Sequence, residues 1–202
     1  MPAYDGRMTH DARDALRAVL DQVPAPRAAP GDRLAAVLAL VIDEPEPSIL
    51  FTERALDLSR HAGEVSFPGG LQEPGDADLA ATALRETWEE IGLDPAAPEI
   101  VGALPPVHTF VSGILVTPFV GVIEELPPLT PSDAEISRVL TVPILELLRT
   151  EEERELHRAG ARVWRGWCYA AEDAVVWGAT GSMLHELLEI VRKEAPWLTP
   201  TP

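Results

Sequence analysis

Glu86, Glu89 and Glu90 stand close together in the stretch PGGLQEPGDADLAATALRETWEEIGL, behind two adjacent glycines, Gly69 and Gly70. On a helix, positions 86 and 90 are one turn apart with 89 beside them, and like charges at that spacing cost an isolated helix a few tenths of a kcal/mol per pair. A solvated acidic face is the ordinary reading of such a cluster. Three features argue for chemistry instead. The carboxylates sit toward the C-terminal half of the helix, where the dipole disfavours negative charge. Arg85 immediately precedes them and can pair with one. The Gly-Gly turn lies upstream at a distance that lets a loop fold back over the helix. An oxygen-rich cluster without His or Cys suits hard cations, Mg²⁺ or Mn²⁺, which bridge to substrate phosphates. Glycine lets a backbone carbonyl approach a metal or phosphate with no side chain in the way. The residues thus point to a divalent metal, a phosphate-bearing substrate, and hydrolysis or transfer.

The elements that must position these groups follow from periodicity and punctuation. Leu84, Trp88 and Ile91 recur at spacings of four and three, which predicts an amphipathic helix over Leu79–Ile91 with those residues inward and the carboxylates outward; Gly92 stops it. RLAAVLALVI (Arg33–Ile42) reads as a strand buried on both faces. EPEP makes a turn into SILFTER, giving a hairpin. EIVGALPPV and GILVTPFVGVI read as further strands, the second with Pro118 marking an edge or bulge. ISRVLTV runs into a helix begun at Pro143 and continuing through VPILELLRTEEEREL. ARVWRGWCYA alternates as a strand, and a last helix covers Gly181 to Lys193. An N-terminal helix is expected over Thr9 to Val23, where Ala12, Leu16, Val19, Leu20 and Val23 fall at helical spacing. Without regular βαβ alternation the class is α+β, a mixed sheet with helices on its faces. The expected division is an N-terminal helix and linker over 1–32, one domain over 33–194, and a tail over 195–202.

At 202 residues with 46% hydrophobic content, the chain suits one substantial core. A net charge of −17 argues against a sequence-independent grip on nucleic acid. It also sets a problem for an anionic substrate, which bound cations would resolve. The single cysteine, Cys168, reads as a small core residue. No apolar run is long enough to span a bilayer and no leader is evident, so a cytoplasmic location is the default expectation.

The acidic stretch resembles the Nudix box, G-x5-E-x7-R-E-U-x-E-E-x-G-U, through Gly70, Arg85, Glu86, Glu89, Glu90, Gly92 and Leu93. Trp88 is read at an aliphatic position. Asp76 replaces the first Glu, and eight residues rather than seven separate it from Arg85. The resemblance implies a Nudix α/β/α sandwich, with a mixed β-sheet between helices, and a metal held by Glu86, Glu89, Glu90 and the Gly70 carbonyl. Arg85 would then orient a Glu. Upstream, LFTERALDLSRHAGEVSFPGG (Leu50–Gly70) is similar to the segment preceding the box in coenzyme A pyrophosphatases, with Ser59 in place of that segment's second Arg and Arg60 one residue later. This likeness implies hydrolysis of the pyrophosphate of coenzyme A or its derivatives, with Arg54, Arg60, Gly69 and Gly70 at the substrate. Glu135, in SDAEIS, falls where relatives carry an acidic residue near the metal and is read as ligand or general base. His61 reads as a hydrogen-bonded loop residue and Phe67 as core. ADP-ribose or NADH as substrate, and a non-catalytic Nudix binding module, are the alternatives. The partner is a small molecule, and both a monomer and a homodimer are compatible with the sequence.

Overall fold

The computed structural model describes residues 16–20, 31–43, 46–57, 61–109, 113–159 and 162–194. Strand β1 (Arg33–Ile42) is the axis of the molecule. It runs parallel to β7 (Ile114–Ile123) in unbroken register from Arg33↔Ile114 to Ile42↔Ile123. On its other side it pairs antiparallel with β2 (Ser48–Arg54) and, farther along, with β4 (Gly69–Leu71). Strand β3 (Val65–Ser66) and the edge strand β8 (Ile136–Pro143) flank β2. Strands β5 (Glu99–Ala103) and β6 (Val107–His108) share the outer side of β7.

Alternation along β1 divides the core. Ala36, Leu38, Leu40 and Ile42 meet Leu50, Ala83 and Ile91 beneath helix α1 (Leu79–Ile91). Ala35, Ala39 and Val41 turn to the opposite face, with Ile49, Phe51 and Phe67. That second layer contains α2 (Ile144–Thr150) and α3 (Gly178–Glu194), together with a small sheet of β9 (Glu152–Ala159), β10 (Arg162–Ala171) and β11 (Ala174–Val176). The result is a mixed sheet between helical layers, as the sequence predicts.

Several expectations need correction. The helix begun after Pro143 ends at Thr150, and the charged run beyond it becomes β9, because it pairs with β10 from Glu152↔Cys168 outward. Pro143 caps that helix instead of opening it. Pro118 lies inside the sheet, neither at an edge nor at an irregularity. Its missing N–H falls at the gap between β5 and β6, where its carbonyl accepts from the Leu104 N–H at 2.8 Å. EIVGALPPV is accordingly two strands, and the last helix opens at Gly178, three residues earlier than expected. Residues 16–20 are helical, with Leu16 and Leu20 buried; the rest of the Thr9–Val23 expectation, the start of the EPEP turn and the 195–202 tail lie outside the described residues.

Candidate active site

Helix α1 starts where the Asp78 carboxylate accepts the Ala81 N–H at 2.8 Å. It ends at Gly92 in the left-handed region, φ 73°, with the Gly92 N–H on the Trp88 carbonyl. Its sheet-facing side carries Ala83, Thr87, Glu90 and Ile91, whereas Trp88 is 55% exposed. The expected orientation is therefore wrong for Trp88, which counting from Arg85 places at the motif's unrestricted position; Thr87, whose hydroxyl donates to the Ala83 carbonyl at 2.7 Å, stands at the aliphatic position and fills the inward place. The inward side of this helix thus carries small residues, one isoleucine and a carboxylate in place of an aromatic ring. The three glutamates do not form one outward face either. Glu89 is exposed, Glu86 is partly covered and Glu90 is 4% exposed.

Glu90 accepts the Gly69 N–H at 3.2 Å and lies 3.8 Å from the Arg54 guanidinium. Burial pushes its pKa up to about 7, against the opposing pull of the Gly69 N–H and Arg54; the charges of Glu86 and Glu135 push it the same way as burial. Glu86 is raised too, by burial first, with Arg85 opposing and Glu89 and Glu135 adding repulsion. A Cβ on Gly70 would sit 2.5 Å from the Glu86 carboxyl carbon, so a side chain there would displace that carboxylate from its place against β4.

Arg85 is the hub of the site. Its Nε and one terminal nitrogen grip Asp76 at 2.8 and 3.1 Å, and that nitrogen also donates to the Leu71 carbonyl at 3.0 Å. The other nitrogen reaches Glu86 at 3.1 Å and Glu89 at 3.0 Å. Asp76 further accepts the Thr82 hydroxyl at 2.8 Å and the Glu73 N–H at 2.9 Å, and the Arg85 hydrogen bond above all holds its carboxyl far below the usual range. In the sequence Asp76 stands out only as a departure from the motif, and its acidic type is the signal for its anchoring of Arg85. The structure thus brings Gly69, Gly70, Arg54, Arg85, Glu86, Glu89 and Glu90 together, with Glu135 in electrostatic reach; Arg60 lies outside the described residues.

The donor set fits a hard cation: two carboxylates on one helix turn are held back from easy ionisation, and a glycine backbone lies against one of them. Among the described residues no three Asp, Glu, His or Cys side chains converge at ligating spacing. Arg85 draws both Glu86 and Glu89 onto one nitrogen.

A fold built on β1, β4 and α1, with Arg85 and three glutamates at the sheet edge, defines a class. The family model described as the NUDIX domain matches residues 32–163. The chain belongs to the Nudix family. It is 42% identical to a protein of Cronobacter sakazakii named as an uncharacterized Nudix hydrolase, NudL, over 80% of this chain and 84% of that one. It is 43% identical to the NudL of Salmonella paratyphi B, over 77% and 81%. Among solved structures it is similar to the NUDIX domain of Shewanella oneidensis NrtR complexed with ADP ribose. That match has a TM-score of 0.53 and 17% identity, over 92% of this chain and 98% of that one. At that identity the likeness speaks for the fold.

Proposed function

We propose that the protein hydrolyses the pyrophosphate of coenzyme A or one of its derivatives in a Mg²⁺- or Mn²⁺-dependent reaction. The products would be 3′,5′-ADP and 4′-phosphopantetheine or its acyl form. The observation that carries this reading is the setting of Arg54, the arginine of the LFTERA segment. It extends from the end of β2 to within 3.8 Å of Glu90, and its Nε is buried with no hydrogen-bond partner among the described residues. A guanidinium with donor capacity to spare beside a carboxylate cluster suits a phosphate oxygen.

In this reading Glu86, Glu89, Glu90 and the Gly70 carbonyl hold the cation. When bound, it supplies Lewis acidity and offsets the negative field of the chain. Arg85, tied down by Asp76, orients Glu86 and Glu89. Arg54 and Arg60 bind phosphate, and Glu135 accepts the proton of the attacking water. Hydrolysis of ADP-ribose or NADH is the second reading, favoured by the ADP ribose bound to the NrtR domain.

A substrate panel decides between them. Coenzyme A carries a 3′-phosphate that ADP-ribose and NADH lack. A site built around that group leaves a charged partner unpaired when it is absent, so dephospho-coenzyme A should lose roughly 10- to 150-fold in kcat/KM. Coenzyme A should lead a panel containing ADP-ribose, NADH and diadenosine polyphosphates, with 3′,5′-ADP identified by chromatography. Higher kcat/KM for ADP-ribose or NADH would overturn the coenzyme A assignment and leave the Nudix chemistry standing. Absence of metal-dependent turnover on every substrate would mark a binding module.

A further inference from the structure

The last carbonyls of a helix lack intrahelical partners. In α1 they are taken up by a loop distant in sequence. The Thr130 N–H donates to the Ile91 carbonyl at 2.9 Å, and the Ser132 N–H donates to the Glu90 carbonyl at 2.8 Å. The same Ser132 offers its own carbonyl to two donors, the Glu135 and Ile136 N–H groups, both at 2.9 Å. The Glu135 carbonyl in turn accepts the Ala55 N–H at 2.8 Å, next to Arg54. One chain of main-chain hydrogen bonds thus runs from the Glu90 carbonyl through Ser132 and Glu135 to the end of β2.

Gly92 makes the approach possible. A Cβ there would stand 2.1 Å from the Thr130 hydroxyl oxygen and 3.2 Å from its Cβ and N. Glu135 is an exposed turn residue, yet its charge acts on both Glu86 and Glu90. An exposed side chain keeps such a place only if its backbone is fixed.

We propose that the Thr130–Ser132 segment, seated on the end of α1 against Gly92, is a positioning device that holds Glu135 at the carboxylate site. Thr130 and Gly92 act through Glu135 and touch no reacting atom. The inference rests on Glu135 as general base, and the test separates the two.

Gly92→Ala should lower kcat by about 10- to 100-fold, the scale of a roughly 1 Å misplacement. KM and the thermal stabilisation given by Mn²⁺ should stay within about twofold of wild type, because the α1 carboxylates keep their places. Adding Thr130→Ala removes the clashing oxygen and should restore part of kcat, the remainder being lost to the left-handed backbone at position 92. In a Glu135→Gln background, already slowed by roughly 10²- to 10⁴-fold, Gly92→Ala should cost nothing further. Thr130→Pro, which deletes the donor to Ile91, should behave like Gly92→Ala and serves where that variant does not fold. An equal loss from Gly92→Ala or Thr130→Pro with and without Glu135 would overturn the positioning role while leaving Glu135 as base. Unchanged turnover in Glu135→Gln would overturn the base and the device together.

Discussion

At 4% exposure the Glu90 carboxylate has lost nearly all its water, and the Gly69 N–H and the more distant Arg54 leave it incompletely compensated. Its pKa rises from 4.5 to about 7, so between those values the folded chain holds a proton that the unfolded chain releases. Stability then falls with rising pH. The penalty is absent below about pH 4.5, grows through the interval and is complete above about pH 7. It amounts to roughly 3 kcal/mol for the metal-free protein. Melting curves in chelator should show this decline, and Glu90→Gln should flatten it while lowering kcat by on the order of 10³-fold. A profile equally steep in the variant would assign the burden to another group, and near wild-type turnover would remove Glu90 from the metal ligands.

Helix α1 acts as a unit because both of its ends are tied to loops. At the N-terminal end the loop around Asp76 is bound to Thr82 and Arg85, and at the C-terminal end Thr130 and Ser132 cover the last carbonyls. Asp76→Ala deletes the bidentate partner of Arg85 and leaves that guanidinium to Glu86, Glu89 and the Leu71 carbonyl. The variant should lose about 10- to 100-fold in kcat through misplaced glutamates. Asp76→Glu should retain more activity than Asp76→Ala, since it restores a carboxylate that can reach the same fork. Equal activity in the two variants would mean that Asp76 serves the loop alone.

At the scale of the whole molecule, a second polar knot ties together elements on the other side of the sheet from α1. Glu151, just past α2, accepts the Tyr169 hydroxyl of β10 at 2.7 Å, meets His185 of α3 at 2.9 Å and pairs with Arg192 of α3. Trp167 stacks on His185 with ring centroids 4.0 Å apart. Burial works against the Glu151 carboxylate, but Arg192, Tyr169 and His185 together hold its pKa below the usual value. Glu151→Ala would leave the buried Tyr169 hydroxyl with His185 alone, at 3.3 Å, and the half-buried Arg192 with Glu189 alone. Unfolding free energy should drop by about 1–3 kcal/mol, measured by denaturant titration, with KM for the substrate unchanged. A loss below about 0.5 kcal/mol would place the knot among surface ion pairs of little weight.

The sequence alone determined the local rules: a continuous apolar run for β1, Gly92 as the stop of α1, the hairpin of β1 and β2, and the carboxylates spaced for one helix. These depend on steric preference and periodicity, which neighbours along the chain carry. Only tertiary structure decided which side of α1 was inside. Helical spacing alone assigns Trp88 to the core, but β4 meets the helix at Glu90 and Thr87 takes the buried position, so the large ring is left outside and a carboxylate is buried. The charged run after Thr150 likewise satisfies helical pattern and strand pattern equally well, and pairing with β10 selected the strand. Asp76 and the Thr130–Ser132 clamp were not legible because each contributes through a partner across a loop: Arg85 for one, the carbonyls of Glu90 and Ile91 for the other. Residue types fixed what chemistry the site could hold. The fold decided which oxygen atoms lost their water, because desolvation depends on distances that no spacing along the chain encodes.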